Sequence, residues 1–111
     1  MGLFSFVADL RATQLIDELA QQLSRQTYGL LHDICQPRVA LMTHAEARGY
    51  VWAKARPIVL AQVTVAAQAH PDLGRLALST LSERAHDRVV RSVLSDLMRE
   101  RAQHANRRRA A

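Results

Sequence analysis

Very little in this chain breaks, crosslinks or stacks. Its 111 residues include one cysteine, four glycines, three prolines, one tryptophan, two tyrosines and two phenylalanines. A lone Cys35 excludes an intrachain disulfide and points to a reducing compartment. Gly29, Gly49 and Gly74 stand isolated, so no glycine-rich loop is present to cradle a phosphate. No aromatic residue follows Trp52, which leaves the C-terminal half without platforms for stacking the bases of single strands. Long apolar runs are also missing. The longest, Ile58–Ala67, is interrupted by Gln62 and Thr64 and is too short to span a bilayer. Leu3–Val7 lacks a preceding basic segment, which argues against a secretory signal. Met1-Gly2 with Ser5 resembles an N-myristoylation start, but Phe6 stands where the motif wants Ser or Thr. These absences lead us to expect a soluble, cytoplasmic protein.

What remains favours helix. Apolar residues make up 49% of the chain, enough to exclude disorder by composition. Ala, Leu, Gln, Arg and Glu, all strong helix formers, are plentiful. The expectation is one all-α domain over residues 1–105, a small bundle of three to five helices, with an Arg-rich, disordered tail over 106–111. At this size a core is often completed by self-association.

Periodicity places the elements. Val7, Leu10, Ile16, Leu19, Ala20 and Leu23 recur in steps of three and four within a helix expected from about Phe4 to Arg25. Phe4 and Phe6 open this segment. Asp9, Asp17 and Glu18 on its polar side argue for packing over a membrane surface. Gly29 interrupts the pattern, and Leu30, Leu31 and Ile34 suggest a second short segment closed before Pro37. Thr43-His44-Ala45-Glu46 has the spacing of a capping box and predicts a helix beginning at His44. Pro57 lacks an N–H and restrains Arg56, so that helix must kink there or a new one must start. Ile58–Ala67 is rich in β-branched residues but shows no alternation, which keeps it helical. His70-Pro71-Asp72-Leu73-Gly74 reads as a turn. A short helix over Leu73–Leu78 and a longer one opened by Thr80-Leu81-Ser82-Glu83 would follow, unless the two merge.

Charge is unevenly spread. Residues 1–36 carry −2, residues 37–71 carry +3 and residues 72–111 carry +4, for a total of +5. All the cations are arginine except Lys54. Arginine suits bidentate contact with phosphate or carboxylate, although a coding bias favouring Arg and Ala together explains the excess as readily. Arg84, Arg88, Arg91 and Arg99 fall within about 80° of one another on a helical wheel, and Arg107, Arg108 and Arg109 end the chain. This stripe is the candidate face for duplex nucleic acid or an acidic partner. Asp87 before Arg91, Asp96 before Arg99 and Glu83 beside Arg84 partly neutralise it, and a solvated or protein-facing surface is the plainer reading.

Two further constellations bear on function. Glu83 and His86, three residues apart, share a helix face, as in di-metal carboxylate bundles. Such a site needs a second motif, which here only a homodimer could supply, with Glu18 or Glu46 completing it. The plainer reading is a histidine at the margin of a packed face. Tyr50, Trp52, Val59 and Val63 lie on a helix that is apolar on most sides, which marks them as candidate oligomer-interface residues. His32, His44, His70 and His104 fall in separate segments without metal-ligand spacing, and Cys35 has no nucleophile signature around it. No catalytic constellation emerges and no cofactor is implied. The sequence reads as a non-enzymatic helical interaction or assembly module forming a homo-oligomer. The rivals are a basic nucleic-acid-binding protein and a di-metal carboxylate protein.

Overall fold

A computed structural model describes the backbone of residues 3–110 and the side chains from Leu10 to Ala110. The packing expected of Phe4 and Phe6 lies outside the described side chains. The described residues form three helices: α1 (Leu3–Val39), α2 (His44–Ala69) and α3 (Arg75–Ala110). No helix among them is long and apolar enough to cross a membrane.

Five expected segments have become three helices. Gly29 does not interrupt α1, and Pro37 lies within its last turn. Pro57 likewise lies inside α2. The reason is where the prolines face. Pro37 and Pro57 are exposed, as are Asp33 and Ala53, whose carbonyls the missing N–H groups would have bonded. Each unmade bond opens toward water, on the side where a long helix curving around a core is already convex. The Ile58–Ala67 stretch is helical, as expected from its lack of alternation.

The expected capping box at the start of α2 is present. The Thr43 hydroxyl accepts from the Glu46 amide at 3.2 Å, and the Glu46 carboxylate accepts from the Thr43 amide at 3.1 Å. The bond from the Thr43 amide, with the Thr43 side chain adding to it, holds the Glu46 carboxyl below its ordinary range. The second box does not form. The Thr80 hydroxyl instead bonds back to the Leu76 carbonyl at 3.0 Å, inside a continuous α3 that absorbs the short helix expected over Leu73–Leu78. At its far end α3 continues as exposed helix through Arg107, Arg108 and Arg109, beyond the boundary at 105 and into the segment expected to be disordered.

The pairings fix the topology. Asp17 meets Arg84, Tyr28 meets Asp96 and His32 meets Glu100, so α1 and α3 run parallel at an almost constant offset of 67–68 residues. The reversing loops, Ala40–Thr43 and His70–Gly74, make α2 antiparallel to both. The outcome is an up-down-up rod of 66 × 24 × 20 Å. Its radius of gyration is 17.5 Å, against about 13 Å for a compact chain of this length.

The core is a seam of small and medium residues. In α2 it runs Ala47, Val51, Ala55, Val59, Val63 and Ala66; in α3 it runs Leu81, Ala85, Val89, Val93 and Leu97. Steps of four keep one ridge per helix turned inward, and the alanines let the backbones approach closely. From α1 come Ile16, Leu19, Ala20, Leu23, Leu31, Cys35 and Val39. Thr27, buried within this seam, satisfies its hydroxyl on the Leu23 carbonyl at 2.8 Å.

Candidate functional site

The arginine stripe is largely occupied by the chain itself. The Arg84 guanidinium bonds the Asp17 carboxylate across the α1–α3 boundary. Arg91 pairs with Asp87 one turn earlier at 3.2 Å, and Arg99 pairs with Asp96. Arg88, Arg107, Arg108 and Arg109 are exposed and make no ion pair among the described residues. The stripe is therefore brought together on one helix, but three of its four members face carboxylates already.

Those carboxylates belong to a polar ladder between α1 and α3. Tyr28 donates its hydroxyl proton to Asp96. This bond, with burial and the Asp96 charge adding to it, pushes the Tyr28 hydroxyl from 10.0 up to about 12. The same bond, helped by Arg99, holds the Asp96 carboxyl below its ordinary range. One turn on, His32 Nε2 lies 3.0 Å from the Glu100 carboxylate, and the Gln36 amide donates to that group at 3.4 Å. Tyr28 and His32 stack with ring centroids 5.7 Å apart.

Arg101, outside the stripe, closes the end of α1. Its Nη1 donates at 2.6 Å to the carbonyl of Met42, in the loop after α1, and at 3.3 Å to that of Val39, the last residue of α1, which also accepts from the Met42 amide at 3.1 Å. Its acceptors lie 59 and 62 residues earlier. Nothing in the local pattern signals the contact.

On the opposite side of α3 a groove of about 620 Å³ runs along the boundary with α2. Val59 and Val63 lie at its floor but are buried in the chain's own core. Of the two settings expected for these candidate interface residues, the chain's own core accounts for their burial. Trp52 and Leu60 stay half in water, at 48% and 44% exposure. The Arg56 guanidinium sits 5.5 Å from the Trp52 ring centroid, within cation–π range. Tyr50 is half-buried against the core, with the Lys54 ammonium 5.6 Å from its ring. Arg75, Leu78, Ser79, Ser82 and Glu83 supply the α3 wall.

His86 closes one end of the groove and is 8% exposed. Its Nε2 lies 2.9 Å from the Trp52 carbonyl oxygen. A carbonyl only accepts, so Nε2 carries the proton and donates. The ring also meets Trp52 edge-on, with centroids 4.9 Å apart. His86 thus ties α3 to α2, the packed-face role weighed against the metal reading. Glu83 and His86 both line the groove, but no group of three or more His, Cys, Asp or Glu side chains able to hold a metal ion occurs among the described residues. Cys35 is fully buried, and burial raises its thiol above the ordinary range.

Comparison with protein-family models, with curated proteins and with solved structures finds no match to this chain.

Proposed function

We propose that this chain is a non-enzymatic helical interaction module that works as a homo-oligomer, burying the outer side of α2 and the adjoining edge of α3. The supporting observation is a contrast between surfaces. Residues 57–69 of α2 contain no charged side chain, yet Leu60 in this stretch, on the side bordering α3, is 44% exposed. Trp52, two turns before Leu60 on the same side, adds a large ring to the surface. The described outer surfaces of α1 and α3, by comparison, are interspersed with Arg, Asp and Glu. Apolar area gains about 25 cal/mol per Å² on leaving water, so a second helical surface laid here is favoured without any catalytic residue. Arginine, tryptophan and tyrosine are also the side chains that most often anchor protein interfaces.

The nucleic-acid reading rests on the arginines of the stripe and tail that make no ion pair among the described residues, Arg88, Arg107, Arg108 and Arg109. It is weakened by the carboxylates already seated on Arg84, Arg91 and Arg99. Sedimentation equilibrium over a concentration series tests the choice, with labelled duplex DNA and a chelator added in parallel. A dimer or larger species unaffected by either addition is the expected result. A protein that stays monomeric to ~100 μM refutes self-association at useful affinity. Salt-sensitive duplex binding by that monomer would transfer the function to the arginines.

A further inference from the structure

We propose that the α2–α3 groove is closed by a second copy of this chain. The two copies would be related by a two-fold axis passing between their α3 helices at the level of Ser79, so that Arg75 of each meets Glu83 of the other. This rests on the self-association reading above and specifies its geometry.

The argument begins with unsatisfied charge. Of the four carboxylates on α3, Asp87, Asp96 and Glu100 each face a cation or hydrogen-bond donor within the chain. Glu83 has no such partner among the described residues, and neither does Arg75 on the same groove wall. These two stand eight residues apart, about 12 Å along the helix axis. An isologous interface must be complementary to itself, so a residue at one distance from the axis meets whatever lies equally far on the other side. A two-fold at the midpoint, Ser79, satisfies that condition with opposite charges. Antiparallel copies then form the Arg75–Glu83 contact twice. The small side chains of Ser79 and Ser82 let the backbones come close at the centre. At the flanks, Leu76, 82% exposed, comes to the axial level of Arg56 on the other copy.

The two-fold sets about 12 Å of α3, from Arg75 to Glu83, against its symmetry mate, and the groove-lining side of α2, with Trp52 and Leu60, extends the contact alongside. A purely anionic occupant fits less well, because Glu83 lines the same groove as Arg56 and Arg75.

The test is charge exchange. Arg75→Glu and Glu83→Arg are both at exposed positions, so the helical content of each variant should match that of the parent. In a homodimer of either variant, two attractive contacts become two repulsive ones, and the dissociation constant should rise about tenfold or more. In an equimolar mixture of the two variants, the heterodimer sets two carboxylates of one copy against two guanidinium groups of the other. Both contacts are then attractive again, with their polarity reversed at one of the two, and sedimentation should show near-parental affinity recovered. Leu60→Glu, in the groove, should dissociate the dimer. Val65→Glu should not, because Val65 faces the α1–α2 side beside Leu19 and Gln22. A parental dimer indifferent to both charge variants, or a mixture without recovery, overturns this two-fold and leaves self-association standing. Dissociation by Val65→Glu but not by Leu60→Glu overturns it too, and moves the contact to the α1–α2 face. A monomeric parent overturns both readings together.

Discussion

Removing one oxygen from the α1–α3 ladder, by Tyr28→Phe, should destabilise the fold by about 1.5 kcal/mol at neutral pH. The hydroxyl donates to an ionised carboxylate, a class of bond that contributes roughly 1.5–3 kcal/mol. The Asp96 side chain is 29% exposed and retains Arg99, so it is solvated and partnered after the change, which sets the loss near the lower bound. The displaced ionisation of Tyr28 agrees in scale. Its rise from 10.0 to about 12 corresponds to roughly 3 kcal/mol between protonation states, at about 1.4 kcal/mol per tenfold. Both groups also set a pH window. Asp96 is depressed in the fold, so its contribution is present above the unfolded carboxyl value and lost as pH falls through the folded one. Tyr28 is raised, so its contribution is complete below 10.0 and lost as pH rises through about 12. Urea denaturation of parent and variant at fixed protein concentration should show a difference that is flat from about pH 5 to 9 and narrows on either side. Tyrosinate absorbance in a Tyr50→Phe background should report the ionisation of Tyr28 near 12 directly. A variant as stable as the parent at neutral pH, or a gap that persists in strong acid, would refute the ladder as a source of stability.

Other consequences are quicker to check. A Cβ at Gly29 would meet nothing within 4 Å, so Gly29→Ala should raise stability by about 1 kcal/mol, seen as a thermal midpoint several degrees higher. Thr43→Ala removes the hydroxyl that caps α2 and should cost about 1 kcal/mol by the same denaturation assay. Arg101→Ala removes the donor seen at the Met42 carbonyl and one of two at the Val39 carbonyl, which keeps the Met42 amide; a loss of about 1 kcal/mol is expected, with faster amide exchange around residues 39–42. Neutralising Arg107, Arg108 and Arg109 together should leave the urea midpoint within about 0.5 kcal/mol of the parent, since the described contacts include none through these side chains.

Sequence reading succeeded where the determining forces are local. Thr43 and Glu46 are three residues apart, so their capping box is visible in the sequence, and the missing alternation in Ile58–Ala67 separates helix from strand. It failed where a local signal is resolved by which way a side chain faces. Pro37 and Pro57 break helices when the lost bond is buried, and here they sit on the exposed side; Gly29, also exposed, keeps its N–H and only weakens the helix. Thr80 has the spacing of a cap, but its hydroxyl serves equally well one turn back inside a helix. The rest was non-local. Arg84 was legible as part of a stripe, yet Asp17, which occupies it, comes from a helix 67 residues earlier. Val59 and Val63 read correctly as buried, but no wheel tells whether a neighbour is the same chain or another copy.

The parallel placement of α1 beside α3 has a consequence for the order in which the molecule assembles. Each neighbouring pair of helices is joined by a four- or five-residue loop, so either hairpin can close early at small entropic cost. The contacts from Asp17, Tyr28, His32 and Gln36 to α3 span 64–68 residues and must wait until both reversals are made. Interactions absent from the transition state change the rate of unfolding and leave the rate of folding alone. Stopped-flow measurements on Tyr28→Phe should accordingly show unfolding about tenfold faster and refolding unchanged. The ladder then acts as a latch fastened last, governing how long the closed rod persists and not how quickly it forms.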